Sequence, residues 1–182
     1  GHHEVKILDQ RIDDTVEQTL DAFHPEVVGI TGYTVHANRM KHLAERAKTW
    51  NPEVLTVVGG HHATVAPRDF ECPDIDLVVV GEGVDSFREV VRRFDVCEGF
   101  DGIPGVWVNT DRGLQEGEAN PALDLDSLPF PDRSLTKAYR HAYYSEYMQP
   151  RASIRTSKGC PFRCNFCALW KIAGGRYLKR DP

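Results

Sequence analysis

Val54-Leu55-Thr56-Val57-Val58-Gly59-Gly60-His61-His62-Ala63-Thr64 is a short apolar run that stops at a pair of glycines. Val54 to Val58 are mostly β-branched and unbroken by charge, which reads as a strand buried on both faces, the pattern of a parallel sheet. The same texture recurs on either side. Upstream, Val27-Val28-Gly29-Ile30 reads as a buried strand, and Val5, Ile7 and Leu8 as an earlier one. Between the two, Val16, Leu20 and Phe23 fall at i, i+4, i+7, a helix that Asp13 or Asp14 can cap and Pro25 ends. Ala37, Met40, Leu43, Ala44, Ala47 and Trp50 mark the next helix, stopped at Asn51-Pro52. Downstream lie an irregular or helical piece around Pro67 to Phe70 and a strand over Leu77 to Val80. Ser86-x-x-Glu89 reads as a capping box opening a helix with Phe87, Val90, Val91 and Phe94 inward. Strands alternating with helices over residues 4 to 94 predict an α/β fold, a parallel sheet covered on both faces.

In such sheets ligands gather outside the carboxyl ends of the strands, where loops present backbone N–H groups without obstruction. Three successive strands end in loops of that kind: Thr31-Gly32-Tyr33-Thr34, Gly59-Gly60-His61-His62-Ala63-Thr64 and Gly81-Glu82-Gly83. No G-x-G-x-x-G fingerprint and no P-loop accompanies them, which argues against NAD and nucleoside triphosphates. A glycine pair lets a bulky ligand approach the backbone; it also makes a tight turn, and the pattern by itself leaves both readings open.

A second chemistry-bearing stretch is Gly159-Cys160-Pro161-Phe162-Arg163-Cys164-Asn165-Phe166-Cys167. Three cysteines spaced C-x3-C-x2-C can converge on one thiophilic metal centre. A structural zinc site closes with four protein ligands, whereas a four-iron cluster held by three cysteines leaves one iron open. The competing readings are a zinc knuckle completed by a distant histidine and a loop of free thiols. Cys72 and Cys97 are read as inert, and thiols kept as ligands suggest a reducing, cytoplasmic compartment.

The remaining segments have other textures. Val106-Trp107-Val108, the turn Asp111-Arg112-Gly113 and Leu114 suggest a small hairpin at the sheet edge. Pro121 to Pro131, with Leu123, Leu125 and Leu128 among acids and prolines, reads as a linker. Tyr139, Tyr143, Tyr144 and Tyr147 form an aromatic group read as packing between domains rather than a cavity wall. Ala152 to Thr156 reads as the first strand of a (β/α) barrel, with the cysteine loop at its carboxyl end. Gly174-Gly175 reads as a turn. With 182 residues, 41% hydrophobic and 27% charged, the chain is globular, and its net charge of −5 provides no basic field for nucleic acid. No transmembrane segment or signal peptide is visible. The chain starts at Gly1-His2-His3-Glu4 without a methionine and stops shortly after the cysteine loop, so it is expected to be a piece of a longer protein, inactive alone. His2 and His3 are given no chemistry.

Arg155-Thr156-Ser157-Lys158-Gly159, the three cysteines, Pro161 and the aromatic before the last cysteine resemble the cluster loop of radical SAM enzymes. Gly-Gly-x-His-x-Thr after one strand, Gly-Glu-Gly after the next, then Leu125-Asp126-Ser127-Leu128-Pro129-Phe130-Pro131-Asp132-Arg133 and the cysteine loop resemble the layout of cobalamin-binding radical SAM proteins. The similarity runs over nearly the whole chain. It implies a flavodoxin-like (Rossmann-like) domain lacking its first strand over residues 1–120, a linker over 121–150, and the start of the radical SAM barrel over 151–182. Cys160, Cys164 and Cys167 would hold a 4Fe-4S cluster whose open iron chelates S-adenosylmethionine, with Phe166 against the adenine. One electron would cleave that molecule to a 5'-deoxyadenosyl radical. Thr31, Gly32 and Tyr33 would neighbour the cobalamin tail, Gly59 and Gly60 would form the close-approach pair, and His62, Gly81, Glu82 and Gly83 would line the same edge. The expected reaction is methylation of an unactivated carbon; other members form rings or rearrange. The alternatives are a radical SAM enzyme whose first domain is a non-binding scaffold, and a zinc- or corrinoid-binding module without catalysis. Implied partners are a small-molecule or lipid substrate, as in the hopanoid methylases, and an electron donor such as flavodoxin or ferredoxin. The family's first strand, and the D-x-H-x-x-G loop by which some members ligate cobalt, would precede Gly1; His36, His61 and His62 are read as hydrogen-bonding or exposed residues rather than metal ligands. The family's remaining S-adenosylmethionine motifs would follow Pro182.

Overall fold

The computed structural model describes residues 3–121, 123–148 and 151–180, which divide into two compact units. The larger comprises residues 25–123 and 158–178, and the smaller residues 1–24, 124–157 and 179–182.

The larger unit is built on a five-stranded sheet in the order β1-β2-β3-β4-β5. Strands β1 (Val27–Thr31), β2 (Leu55–Gly59) and β3 (Leu77–Val79) run parallel, with Val27 beside Leu55 and Val57 beside Leu77. Strands β4 (Val106–Thr110) and β5 (Gly113–Gln115) form the hairpin anticipated from its turn residues, but they extend the sheet antiparallel to β3. The result is a mixed α/β sheet.

Side chains alternate between its faces. Ile30, Val58 and Val78 face a core completed by Met40 and Ala44 of helix α2 (Ala37–Trp50), with Phe70 and Ile75. Leu55, Val57, Leu77 and Val79 face a second core with Val90 of helix α4 (Gly83–Asp95), Ile103 and Val106. Fully buried aliphatics of this kind each contribute roughly 1.5–3 kcal/mol relative to exposure, so both helical layers are anchored by these strands.

Helix α1 (Val16–Phe23) belongs to the smaller unit, as do residues 4–9. The strand expected over Val5, Ile7 and Leu8 does not form: residues 4–9 carry no ladder, and Val5 and Ile7 are exposed. An extended apolar run becomes a strand only beside a partner, which no periodicity in the run itself reveals. The N-cap of α1 is Thr15, and Asp13 instead accepts from the Thr15 N–H at 3.1 Å. A ten-residue 3₁₀ segment, Arg133–Ala142, carries Tyr139; the Tyr139 and Tyr143 hydroxyls reach Asp13 and Asp9 at 3.4 and 3.0 Å. These two tyrosines therefore pack within their own unit, not between domains as expected, whereas Tyr144 and Tyr147 are exposed.

Two further expectations are corrected. Ser86 does not open a helix: α4 starts at Gly83, and the Ser86 hydroxyl donates to the Pro104 carbonyl at 2.7 Å. A distant acceptor has replaced the local cap. The strand expected over Ala152 to Thr156 is instead β6 (Ser157–Gly159), paired with β7 (Tyr177–Lys179), because that is where a partner lies.

Candidate functional site

The carboxyl ends of β1, β2 and β3 form one edge in the larger unit. Thr31 lies beside Gly59 in register, bringing Gly32 and Gly60 together just beyond them. Gly60 has φ +95°, and the space a side chain would occupy there is filled by the Thr31 hydroxyl and by Gly32, whose carbonyl oxygen lies 3.2 Å from a Cβ position. The close approach at Gly60 is thus between two loops of the chain itself. Gly59 is less confined, with Val79 at 3.5 Å from its Cβ position.

The residues of the Gly-Gly-x-His-x-Thr stretch take different roles on helix α3 (His61–Val65). His61 faces Tyr33, their rings stacked at 4.9 Å and 24°, and Tyr33 remains 59% exposed. The Tyr33 N–H donates to His36 Nδ1 at 3.4 Å. His62 is buried, with Nε2 2.9 Å from Asp69 Oδ2 and Nδ1 3.2 Å from the Thr34 hydroxyl. A carboxylate only accepts, so Nε2 donates to Asp69; in the neutral ring Nδ1 then accepts from Thr34. Phe70 meets the ring edge-on at 5.5 Å. Both nitrogens of His62 are engaged, which suits a residue that ties the β1 and β2 loops together. Thr64 ties β2 to β3: its hydroxyl donates to the Gly60 carbonyl at 2.8 Å and accepts from the Gly81 N–H at 3.0 Å.

The third loop is held by a residue the sequence reading passed over. Asn120 donates to the Val80 carbonyl at 3.1 Å and the Glu82 carbonyl at 2.7 Å, and accepts from Ser86 at 3.3 Å. The signal available in sequence was Asn120-Pro121, which marks a turn but names no partner. Gly81 has φ +84°, and Gly83 begins α4 with Val79 3.3 Å from its Cβ position.

The cysteine loop leaves β6 in the same unit. Gly159 has φ +85°, and a Cβ there would run into the Arg176 carbonyl, so the residue before Cys160 is constrained to glycine. Cys160 and Cys167 are half-buried, Cys164 is exposed, and all three are free thiols. The Cys167 N–H donates to the Cys164 carbonyl at 3.1 Å, turning the loop towards the short helix α5 (Leu169–Ile172). Phe166 is 89% exposed. Gly174 and Gly175 form the turn read from the sequence, with φ +61° and +70°. Lys158, two residues before Cys160, pairs with Glu82 of the third loop. Both line a cleft of about 250 Å³, together with Gly81, Asn120, Ile172 and Arg176. The third loop of the glycine edge and the segments flanking the cysteine loop thus share this cleft.

A family model described as "B12 binding domain" matches residues 1–91, half of the chain. The chain belongs to the B12-binding domain family. Similarity extends beyond that domain. The chain is 32% identical over 182 residues to a protein of Pyrococcus horikoshii named as the uncharacterized methyltransferase PH0819, covering 96% of this chain and 39% of that one. It is 31% identical to the hopanoid C-3 methylase of Methylococcus capsulatus, covering 96% of this chain and 34% of that one. Among solved structures, the radical S-adenosylmethionine methyltransferase TsrM of Kitasatospora setae, with cobalamin and a [4Fe-4S] cluster bound, shares the fold at a TM-score of 0.70 and 22% identity. The chain covers 38% of TsrM. It thus spans less than two fifths of the length of each of these proteins.

In this B12-binding chain the donor set of the cysteine loop fits an iron–sulfur cluster in type and number: three thiols within eight residues, none in a disulfide. Among the described residues no group of three His, Cys, Asp or Glu side chains stands close enough to hold a metal, so the three sulfurs do not converge here. Among the described residues, too, no helix is long and apolar enough to cross a membrane.

Proposed function

We propose that this chain is the corrinoid-binding part, with the opening of the catalytic barrel, of a cobalamin-dependent radical SAM enzyme that methylates an unactivated carbon. One observation carries the reading: the glycine edge of a B12-binding domain and the segments flanking a C-x3-C-x2-C loop line one cleft within one compact unit. The proposed division is a corrinoid domain over residues 1–120, a linker over 121–150 and the start of the barrel over 151–182.

When bound, the cluster and S-adenosylmethionine supply the hydrogen-abstracting chemistry and the corrinoid the methyl group. The chain supplies ligation and placement. Cys160, Cys164 and Cys167 would hold the cluster, their loop being brought together by metal binding, since metal-ligand geometry is seldom formed beforehand. Phe166, already exposed, offers a ring face for the adenine. Thr31, Gly32 and Tyr33, Gly59 and Gly60, and Gly81, Glu82 and Gly83 line the corrinoid edge. His62 contributes by fixing Thr34 and Asp69, holding the edge in shape rather than presenting a free nitrogen. Turnover draws electrons from a donor such as flavodoxin or ferredoxin, in the cytoplasm, on a small-molecule or lipid substrate.

The test is anaerobic reconstitution of the whole protein followed by metal, sulfide and corrinoid analysis. About four irons and four sulfides per chain, with hydroxocobalamin retained through gel filtration, are expected. Zinc without sulfide, or iron without retained corrinoid, refutes the reading, the second outcome leaving the domain a scaffold.

A further inference from the structure

Glu82 and Lys158 are 76 residues apart in sequence and meet across the cleft, Nζ to Oε2. Their side chains are only 22% and 27% exposed, and neither makes a second ion pair among the described residues. Each end of this contact is fixed. The Glu82 backbone is the N-cap of α4, and its carbonyl accepts from Asn120 at 2.7 Å. Lys158 sits in β6, followed by Gly159, which has no room for a side chain, and then by Cys160. A shift of the Glu82 carboxylate therefore pulls on a short, stiff segment ending at the first cysteine, with little slack to absorb it. The pair is also partly screened from water, where losing one partner costs more than at an exposed site.

We infer that Glu82 is a positioning residue that sets the cysteine loop through Lys158, so that a ligand filling the glycine edge alters the placement of Cys160. The inference rests on the corrinoid reading only for the nature of that ligand; the mechanical link stands without it. A corrinoid pressing on Gly81-Glu82-Gly83 displaces the carboxylate, releases the ammonium, and frees residues 158–168 to close on their cluster. Loading of one cofactor site is thereby reported to the other.

Hydrogen exchange of the whole protein, purified without cofactors, tests this in the wild type, Glu82→Gln, Lys158→Met and the compensating double variant Glu82→Asp, Lys158→Arg. Either neutral variant is expected to speed exchange over residues 158–168 by about tenfold while β3 and α4 keep their protection, and the double variant to return close to wild type. Hydroxocobalamin is then added, its binding followed independently by absorbance. It is expected to speed exchange over 158–168 in the wild type and to leave the two neutral variants unchanged. Wild-type exchange in both neutral variants, loosening of α4 along with the loop, or an equal response to hydroxocobalamin in all proteins overturns the inference. A protein that binds no hydroxocobalamin but loosens its loop in both neutral variants supports the link and refutes the corrinoid reading.

Discussion

Replacing Asn120 with alanine removes a side chain that bridges two carbonyls of the third strand-end loop. Its amide donates to the carbonyls of Val80 and Glu82 at 3.1 and 2.7 Å, and its oxygen accepts from Ser86 at 3.3 Å. A neutral hydrogen bond is worth about 1 kcal/mol net, and both carbonyls lose this donor in a half-buried setting, the Ser86 hydroxyl standing 3.5 Å from that of Glu82. Ser86 loses less, because its hydroxyl keeps the Pro104 carbonyl at 2.7 Å. The sum is about 2 kcal/mol, a sizeable fraction of the stability of an ordinary domain. Urea unfolding followed by far-ultraviolet circular dichroism reads it: with a slope of about 2 kcal/mol per molar, the midpoint falls by about 1 M at unchanged slope. Asn120→Asp keeps the size but sets a carboxylate against two carbonyl oxygens, so its midpoint falls at least as far. A shift below about 0.3 M in Asn120→Ala refutes the role given to this residue.

Gly60→Ala meets both a left-handed φ and a filled space, so it costs about 2–3 kcal/mol, while Gly102→Ala, at φ +73° with nothing within 4 Å, costs about 1 kcal/mol. Equal losses in urea unfolding would show that the Thr31 and Gly32 contacts yield freely. His62→Phe removes the bonds to Thr34 and Asp69 from a buried site, and the melting midpoint is expected to fall by about 3–6 °C. An unchanged midpoint would mean that the network is not structural. The Arg11 guanidinium, donating to Asp9, holds that carboxyl at about 2, below its ordinary value, with the Arg11 N–H and Tyr143 hydroxyl adding to the effect. A depressed carboxylate stabilises the fold above about pH 4 and ceases to do so as pH falls towards 2. Asp9→Asn should therefore remove about 1 kcal/mol of the acid-induced loss between pH 4 and 2, read by urea unfolding at stepped pH. An acid limb identical to wild type would contradict the pairing.

The three parallel strands were legible because each lies in an apolar run, although β1, at the sheet edge, is only partly buried, and α2 because its stripe ends at Asn51-Pro52. The glycine edge followed from those strands by the general rule that ligands gather at their carboxyl ends. What stayed hidden is long-range. Ser86-x-x-Glu89 has the form of a capping box, but its hydroxyl found Pro104, 18 residues away. Residues 4–9 have the alternation of a strand without a ladder partner. β6 starts at Ser157, beyond the stretch read as a strand, because pairing with β7 sets its register and the local residues do not. Asn120 and the Glu82–Lys158 pair act across 38 and 76 residues, and no periodicity encodes contacts of that kind. The spacing of the three cysteines marks a candidate ligand set, but among the described residues their sulfurs are not gathered in the fold.

The central claim is that three thiolates leave one iron of a four-iron cluster open to S-adenosylmethionine. The electron paramagnetic resonance spectrum of the reduced, reconstituted protein, recorded with and without S-adenosylmethionine, tests it most directly. A spectrum that changes on addition, and that is lost when any one of Cys160, Cys164 and Cys167 is replaced by alanine, is the result expected. A cluster signal indifferent to S-adenosylmethionine, or no paramagnetic species at all, would contradict it.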